Sequence, residues 1–216
     1  MAKGNAELKD KVAKMELRLR ELEVKNEKLE EKVAILESRV SVAETVSSKL
    51  VLELDRLDQY HRRPNIIMRK VFLPENETLN ALTSTVTKVI GEEINLPNAV
   101  DDIDKFHRVG RVKTVGGKKH QDIIIRFKTH RSRYAVYQDR KKSKSVKISP
   151  NLTKRRGALL YEASQLVNDA EKVNFVFANV HGDLNIRLVE PYKDKMVFPF
   201  SSMGQLKDLL AEINEG

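Results

Sequence analysis

The sequence has no cysteine and no tryptophan, and aromatic residues fill only 6% of its 216 positions. Without cysteine there is no disulfide, no thiolate zinc finger and no cysteine nucleophile, which fits a reducing, intracellular setting. The two glycosylation-type sequons, Asn76-Glu77-Thr78 and Asn151-Leu152-Thr153, are accordingly read as chance matches. No run approaches the ~20 apolar residues of a membrane span. The opening Met1-Ala2-Lys3-Gly4-Asn5 has no secretory apolar region, so no membrane is expected as a partner. The constellations of an enzyme are missing too. His61, His107, His120, His130 and His181 show no metal-ligand spacing. Asp101, Asp102 and Asp104 read as solvated acids at a turn. Gly116-Gly117 lacks the spacing of a phosphate loop, and no serine sits in a nucleophile elbow. No catalytic residue, metal or cofactor is expected.

What the chain does have is charge, at 33% of positions, with a net of +9, which suggests a polyanionic partner. Its placement is more telling than its sum. Residues 1–58 carry 12 basic and 13 acidic side chains, residues 59–156 carry 23 and 9, and residues 157–216 carry 5 and 9. The middle alone is +14. The chain reads as modular, with the partner's negative charge facing the middle.

The first segment is a heptad repeat. Leu8, Met15, Leu22, Leu29, Leu36, Ala43, Leu50 and Leu57 fall at d; Val12, Leu19, Asn26, Val33, Val40, Ser47 and Leu54 fall at a. A 3.5-residue period held over roughly 75 Å of helix drives left-handed supercoiling around partners. Basic g positions (Lys11, Arg18, Lys25, Lys32, Arg39) oppose acidic e positions (Glu16, Glu23, Glu30, Glu37, Glu44), as in a parallel assembly. Val at a with Leu at d favours dimers. Against this, Arg18-Leu19-x-x-Leu22-Glu23 and Arg39-Val40-x-x-Ala43-Glu44 resemble the Arg–apolar–x–x–apolar–Glu trimer signature. Two copies decide for a parallel homotrimer. Asn26 would fix register, and Ala43 with Ser47 marks a looser stretch.

The middle follows a β-α-β-β-α-β order. Ile66 to Leu73 reads as a strand. A helix capped by Thr78 or Asn80 carries Leu79, Leu82, Val86, Val89, Ile90 and Ile94, and is ended by Pro97-Asn98. Asp104 to Val109 is a second strand, Arg111 to Lys119 a flexible cationic loop, and Asp122 to Phe127 a third strand. A helix from Thr129 to about Lys142 precedes a short strand, Ser145 to Ser149. This is the ferredoxin-like plan, shared with the RNA-recognition module. Isoleucines 123–125 stand where that module stacks bases, and Phe72 and Phe106 are assigned to the core. Binding therefore rests on cations: Arg62, Arg63, Arg69, Arg108, Arg111, Lys118, Lys119 and Arg126 at strand ends and loop. Arg131, Arg133, Arg140, Lys141, Lys142 and Lys144 continue them on the second helix and its exit.

The last segment begins at Pro150-Asn151 with a helix bearing Leu152, Leu159, Leu160, Ala163, Leu166 and Val167. Lys154, Arg155 and Arg156 occupy its first turn, where the helix dipole prefers acids. They read either as a phosphate grip or as an ordinary solvated turn. A hairpin (Val173 to Val180, His181-Gly182-Asp183, Leu184 to Val189), a strand from Met196 to Phe200, and a helix capped by Ser201 or Ser202 with Met203, Leu206, Leu209, Leu210 and Ile213 complete it.

Arg63-Pro64-Asn65-Ile66, Pro74-Glu75, Phe106-His107-Arg108-Val109-Gly110-Arg111, Ile123-Ile124-Ile125-Arg126-Phe127 and Leu152-Thr153-Lys154-Arg155-Arg156 follow a trimer-type coil in this order. Together they resemble the RNA-binding first-open-reading-frame protein of LINE-type (non-LTR) retrotransposons, from about Leu8 to Ile213. The resemblance implies an α+β chain in three parts: a coiled coil over 1–60, an RNA-recognition-type domain over 61–149 and a small α+β domain over 150–216. It further implies a cytoplasmic ribonucleoprotein with access to the nucleus, nucleic-acid chaperone activity, and packaging of the element's transcript for retrotransposition. Expected partners are single-stranded RNA, single-stranded DNA and the element's reverse transcriptase. The residues it carries over are Arg62, Arg63, Arg69, Arg108, Arg126, Arg140, Lys141, Arg155 and Arg156; Arg111 and Lys154 join them on position alone. Tyr161 is assigned as a contact of the last lobe. The long N-terminal extension common in the family is nearly absent, which leaves higher-order assembly open. The competing reading is a coiled-coil scaffold whose lobes bind an acidic protein.

Overall fold

The computed structural model describes residues 2–167, 173–188 and 197–215, with side chains described between Lys11 and Glu212. Val189 and Met196, and the side chains of Leu8 and Ile213, lie outside the described residues. The chain is α+β and divides into two units, residues 1–54 and 55–216.

Most of the first unit is one helix, α1 (Ala2–Arg62), whose last two turns belong to the second unit. Its seam residues Val12, Met15, Leu19, Leu22, Leu29, Val33, Leu36, Val40, Leu50 and Leu54 are all exposed, as is Leu57 in the second unit. So are Leu17, Val24, Ile35, Val42, Val46, Val51 and Leu52, which lie off the a and d positions. A lone helix leaves both sets facing solvent.

The second unit holds two sheets. The first has strand order β2-β3-β1-β4, every neighbour antiparallel, formed by β1 (Asn65–Phe72), β2 (Ile103–Val115), β3 (Lys118–Phe127) and β4 (Lys147–Pro150). Alternation sends Ile66, Met68, Ile123, Ile125, Phe127 and Ile148 to one face. There they pack on α2 (Leu79–Thr87) and α4 (His130–Gln138) through Leu82, Val86 and Val136. Thr78 caps α2 by accepting from the Ala81 N–H, and Thr129 caps α4 through the Ser132 N–H. The α2 helix does not run on regularly: it widens into a π-type turn over Lys88–Glu93, which buries Val89 and Ile90. Pro97 does not end a helix but starts one, α3 (Pro97–Asp101), because its missing N–H is harmless at a first turn.

The expected cationic loop is a correction. Arg111 to Lys119 forms the far end of a long β2–β3 hairpin closed by Gly116-Gly117, with φ of 58° and 75°. Two positive φ values in a two-residue connection suit the twist of a hairpin, and only glycine adopts both cheaply. Phe72 is a second correction: it stands 52% exposed, edge-on to His120, while Phe106 does pack against the core.

The C-terminal lobe packs α5 (Lys154–Val167) and α6 (Met203–Glu215) on a sheet of order β5-β6-β7, from β5 (Val173–Ala178), β6 (Leu184–Leu188) and β7 (Val197–Phe200). Leu159, Ala163, Ile186, Phe200 and Leu206 form its centre. Tyr161, expected as a contact of this lobe, is 67% exposed. The end of α1 is fastened here. The Gln59 amide, 2% exposed, donates to the Asn151 and His181 carbonyls and accepts from the Thr153 N–H.

Gly182 has φ of 83°, and a Cβ there would lie 2.2 Å from the Gln59 Nε2. Gln59 is tied at both ends and cannot swing aside. Gly182→Ala is therefore expected to destabilise the unit by about 2 kcal/mol or more. Gly157→Ala, inside α5 with open space around its Cβ, should stabilise by about 0.5–1 kcal/mol. Urea titrations of the two variants check both signs.

Candidate nucleic-acid interface

A cleft of about 760 Å³ opens between the edge of the first sheet and the C-terminal lobe. Arg69, Lys70, Arg111, Lys113, Arg140 and Lys147 line it, with Asp122 the acid among them, and Ile148, Leu160, Val176 and Phe177 supply apolar wall. The local fold explains why these cations gather. Strand β1 carries a bulge between Met68 and Val71, with Lys70 at φ of 55°. Asp122 of β3 holds it, accepting from the Lys70 N–H and from Arg69 Nη1, both at 2.8 Å. Arg69 Nε donates to Ser149 on β4. A second irregularity, at Gly110 (φ 80°), shifts the β2–β3 register between Val109 and Lys113. Its carbonyl accepts from the Gln121 amide.

A neighbouring hollow of about 530 Å³ is lined by Arg69, Lys70, Arg140, Lys141, Lys144 and Lys147. Arg140 reaches both spaces. Its guanidinium lies 4.0 Å from the centre of the Tyr137 ring and donates to the Tyr137 carbonyl. Glu93 shapes this hollow by accepting from Ser143 Oγ and the Lys144 and Ser145 N–H groups. Burial raises its pKa, but those hydrogen bonds outweigh the effect and leave it below the ordinary value.

The expected binding residues thus separate into two populations. Arg69, Arg111, Arg140 and Lys141 face the two hollows. Arg126 is half exposed beside Asp104, and Lys154 is exposed at the start of α5. Others are consumed by the fold. Arg108 pairs with Glu77 through both carboxylate oxygens (2.6 and 3.0 Å) and donates to the carbonyls of Val71, Phe72 and Gln121. Both side chains are nearly buried, so Arg108, expected among the nucleic-acid-binding residues, acts as a clamp between strands. Arg156 pairs with Asp55 at 2.9 Å and Asp183 at 3.1 Å and donates to the Gly182 carbonyl. Arg155 is 3.9 Å from Asp55 and half exposed. Arg62 bonds Asp58, Asn151 and the Leu152 carbonyl. Arg63 packs on Tyr60 with its Nε buried. Arg133, expected on a cationic face, is 1% exposed.

The basic first turn of α5 also has a structural answer. The acid that its dipole wants comes from Asp55, which receives Thr153 Oγ1 and Arg156 Nε, while Thr153 caps the helix through the Arg156 N–H. Burial raises the Asp55 pKa, but the hydrogen bonds and charges of Arg156, Thr153 and Arg155 prevail and hold the carboxyl below its ordinary value. Lys70, Lys113 and Lys147 were missed by the sequence reading. Strand alternation sets Lys113 two residues from Arg111, and pairing sets Lys147 opposite Arg69.

Among the described residues no cluster of histidine and carboxylate could hold a metal ion, and no helix is long and apolar enough to cross a membrane. Asp102 is occupied in capping, accepting from the Thr129 N–H and hydroxyl. No protein-family model matches the chain, and no curated protein does.

His181 stacks on His130 with ring centres 5.5 Å apart. Burial, then the positive charges of Arg63 and His130, hold His181 below 6.5, with Arg133 adding to them and Asp183 opposing. The native state therefore binds fewer protons than the unfolded chain just below that value, and stability rises with pH through the window. Stability is expected to fall as pH drops from about 7 to 5, and His181→Gln should flatten that arm. Urea midpoints across the range measure it.

Proposed function

We propose that this chain is a homotrimeric binder of single-stranded RNA and DNA with nucleic-acid chaperone activity, of the LINE-type retrotransposon first-open-reading-frame class. In this reading it packages the element's transcript into a ribonucleoprotein. The observation that carries the proposal is the cleft of about 760 Å³, where six cations from three strands and the exit of α4 converge on apolar walls with one acid among them. Lysine and arginine heads suit phosphates, and Phe177, Val176 and Leu160 suit the faces of splayed bases. A groove of this kind grips backbone without reading sequence. The strand order β2-β3-β1-β4, with α2 and α4 on one face, supports a ferredoxin-like, RNA-recognition-type module. Isoleucines replace the usual stacking aromatics on its strands.

The exposed a/d stripe of α1, flanked by Arg18, Glu23, Arg39 and Glu44, supports a parallel coiled coil. Trimerisation makes the second and third heads engage one strand at high local concentration, so individually weak contacts exchange quickly. That exchange lets strands rearrange toward their best pairing. Sedimentation equilibrium is expected to give about three times 24.8 kDa; a mass of twice that figure would replace the trimer by a dimer.

Fluorescence anisotropy of labelled single-stranded RNA across a salt series tests the binding. Log affinity should fall linearly with log salt, with a slope of about −0.7 per phosphate engaged. Arg111→Ala with Lys113→Ala is expected to flatten that slope by about 1.4 while leaving stability within about 0.5 kcal/mol. Arg108→Ala should instead unfold the module, because it strands a buried carboxylate. A complete lack of binding at low salt would favour the scaffold for an acidic protein.

A further inference from the structure

Among the described residues, the buried side-chain polar atoms without a partner are Arg63 Nε, Arg133 Nε, Arg133 Nη1 and His181 Nδ1. Orphans scattered by chance would mix donors with acceptors. These are three arginine donors and one histidine nitrogen, and they come from one neighbourhood. Arg63 follows α1, Arg133 stands on α4, and His181 stands in the β5–β6 turn, which Tyr137 ties to α4 by donating to the Ala178 carbonyl at 2.9 Å.

The neighbourhood is short of negative charge as well as of acceptors. The His181 ring stacks on that of His130, and the positive charges of Arg63, His130 and Arg133 all bear on it. Arg133 and Arg140 both lie against the Tyr137 ring, at 5.6 and 4.0 Å. The one acid facing the histidines, Asp183, is bound by Arg156 and the Asn179 amide. Burial draws Arg133 down to about 10, so it remains charged at neutral pH. A water molecule would supply an acceptor but would leave the charge uncompensated, and an isolated buried cation is among the costliest groups in a fold.

We propose that this seam is an internal site for one small inorganic anion, phosphate or chloride, held by Arg63, Arg133 and His181. Occupied, it clamps the β5–β6 turn of the C-terminal lobe against α4. The site is independent of the nucleic-acid reading, since it uses none of the cations that line the cleft apart from Arg140, which touches it through Tyr137. Chloride binding strengthens as the pH falls, because a protonated His181 adds a donor and a charge to the ligand shell.

The test is thermal unfolding of the full chain followed by tyrosine fluorescence. All five tyrosines lie beyond residue 54, and there is no tryptophan, so the signal reports the second unit alone. Phosphate and chloride are titrated separately, with ionic strength held constant by gluconate, a larger and weakly coordinating organic anion. Wild type is expected to gain several degrees in a saturable manner with at least one of the two, and the gain from chloride, which does not itself titrate, should be larger at pH 6 than at pH 8. Arg133→Met should lose that gain, and in gluconate alone it should melt no lower than wild type, since the substitution removes an unpaired buried charge. His181→Gln, which keeps Arg133 and His130, should retain a smaller chloride gain with a weaker dependence on pH. An equal response of wild type and both variants, or no saturable response to either anion, would overturn the proposal and leave water as the partner of these nitrogens.

Discussion

The buried carboxylate of Asp55 is the constraint on which the second unit depends. It sits on the last turns of α1, yet its partners are Thr153, Arg155 and Arg156, a hundred residues later in the chain. One negative charge there does three things. It neutralises Arg156, it serves as the acid missing from the first turn of α5, and through Arg156 it reaches Asp183 and Gly182 in the β5–β6 turn. Gln59, one helical turn on, fastens the same turn through its side-chain amide, which donates to the His181 carbonyl and accepts from the Thr153 N–H. Removing either member of such a pair leaves an uncompensated charge and costs about 3–5 kcal/mol, more than the pair itself contributes relative to apolar packing. The pair is therefore better understood as fixing one arrangement than as adding stability.

A second constraint works on the sheet. A central strand with a bulge gives up ladder bonds, and Lys70 adopts a conformation that few side chains tolerate. Asp122 offsets that loss by taking the freed Lys70 N–H, and in the same act it draws Arg69 beside it. Just beyond, Arg108 bridges the ends of β1 and β3 with every one of its nitrogens bonded. The distortion is what turns Arg69 and Lys70 toward the hollows instead of leaving them alternating along a flat strand. A strained residue is thus held by a carboxylate in the middle of a cationic surface, where each supports the other.

Much of this was legible in the sequence. The 3.5-residue period of α1 and the order of strands and helices after Pro64 are local signals, because side-chain periodicity is fixed by backbone geometry alone. The caps were legible in part: Thr78 and Ser202 each stood as one of two candidates, and Thr129 was read as a helix start but not as its cap. The β2–β3 hairpin was misread because lysine and arginine dominate its end, and polarity was taken for looseness although Gly116-Gly117 is a hairpin signal. The role of each arginine was not legible at all. Arg108 finds Glu77 31 residues away and Arg156 finds Asp55 101 residues away. Which guanidinium meets a carboxylate is decided by the tertiary fold, and nothing in the neighbouring residues distinguishes Arg108 from Arg111 or Arg133 from Arg131.

That division of arginines matters for how a cationic surface of this kind can be used. The guanidinium offers five donors in a rigid fork, so the residue that clamps strands and the residue that would hold phosphate are chemically the same. What separates them is whether protein acceptors exhaust the donors. Arg108 is bonded through all three nitrogens and Arg156 through Nε and Nη1, and burial screens both from salt. Arg111, Lys113, Lys141 and Lys147 stand in solvent, where ions of physiological concentration weaken any interaction beyond a Debye length of roughly 8 Å. Salt or a competing strand can then strip the proposed ligand while leaving the ion pairs that hold the fold untouched. Release without unfolding is what the proposed chaperone activity would need, and burying some arginines while exposing others would permit it.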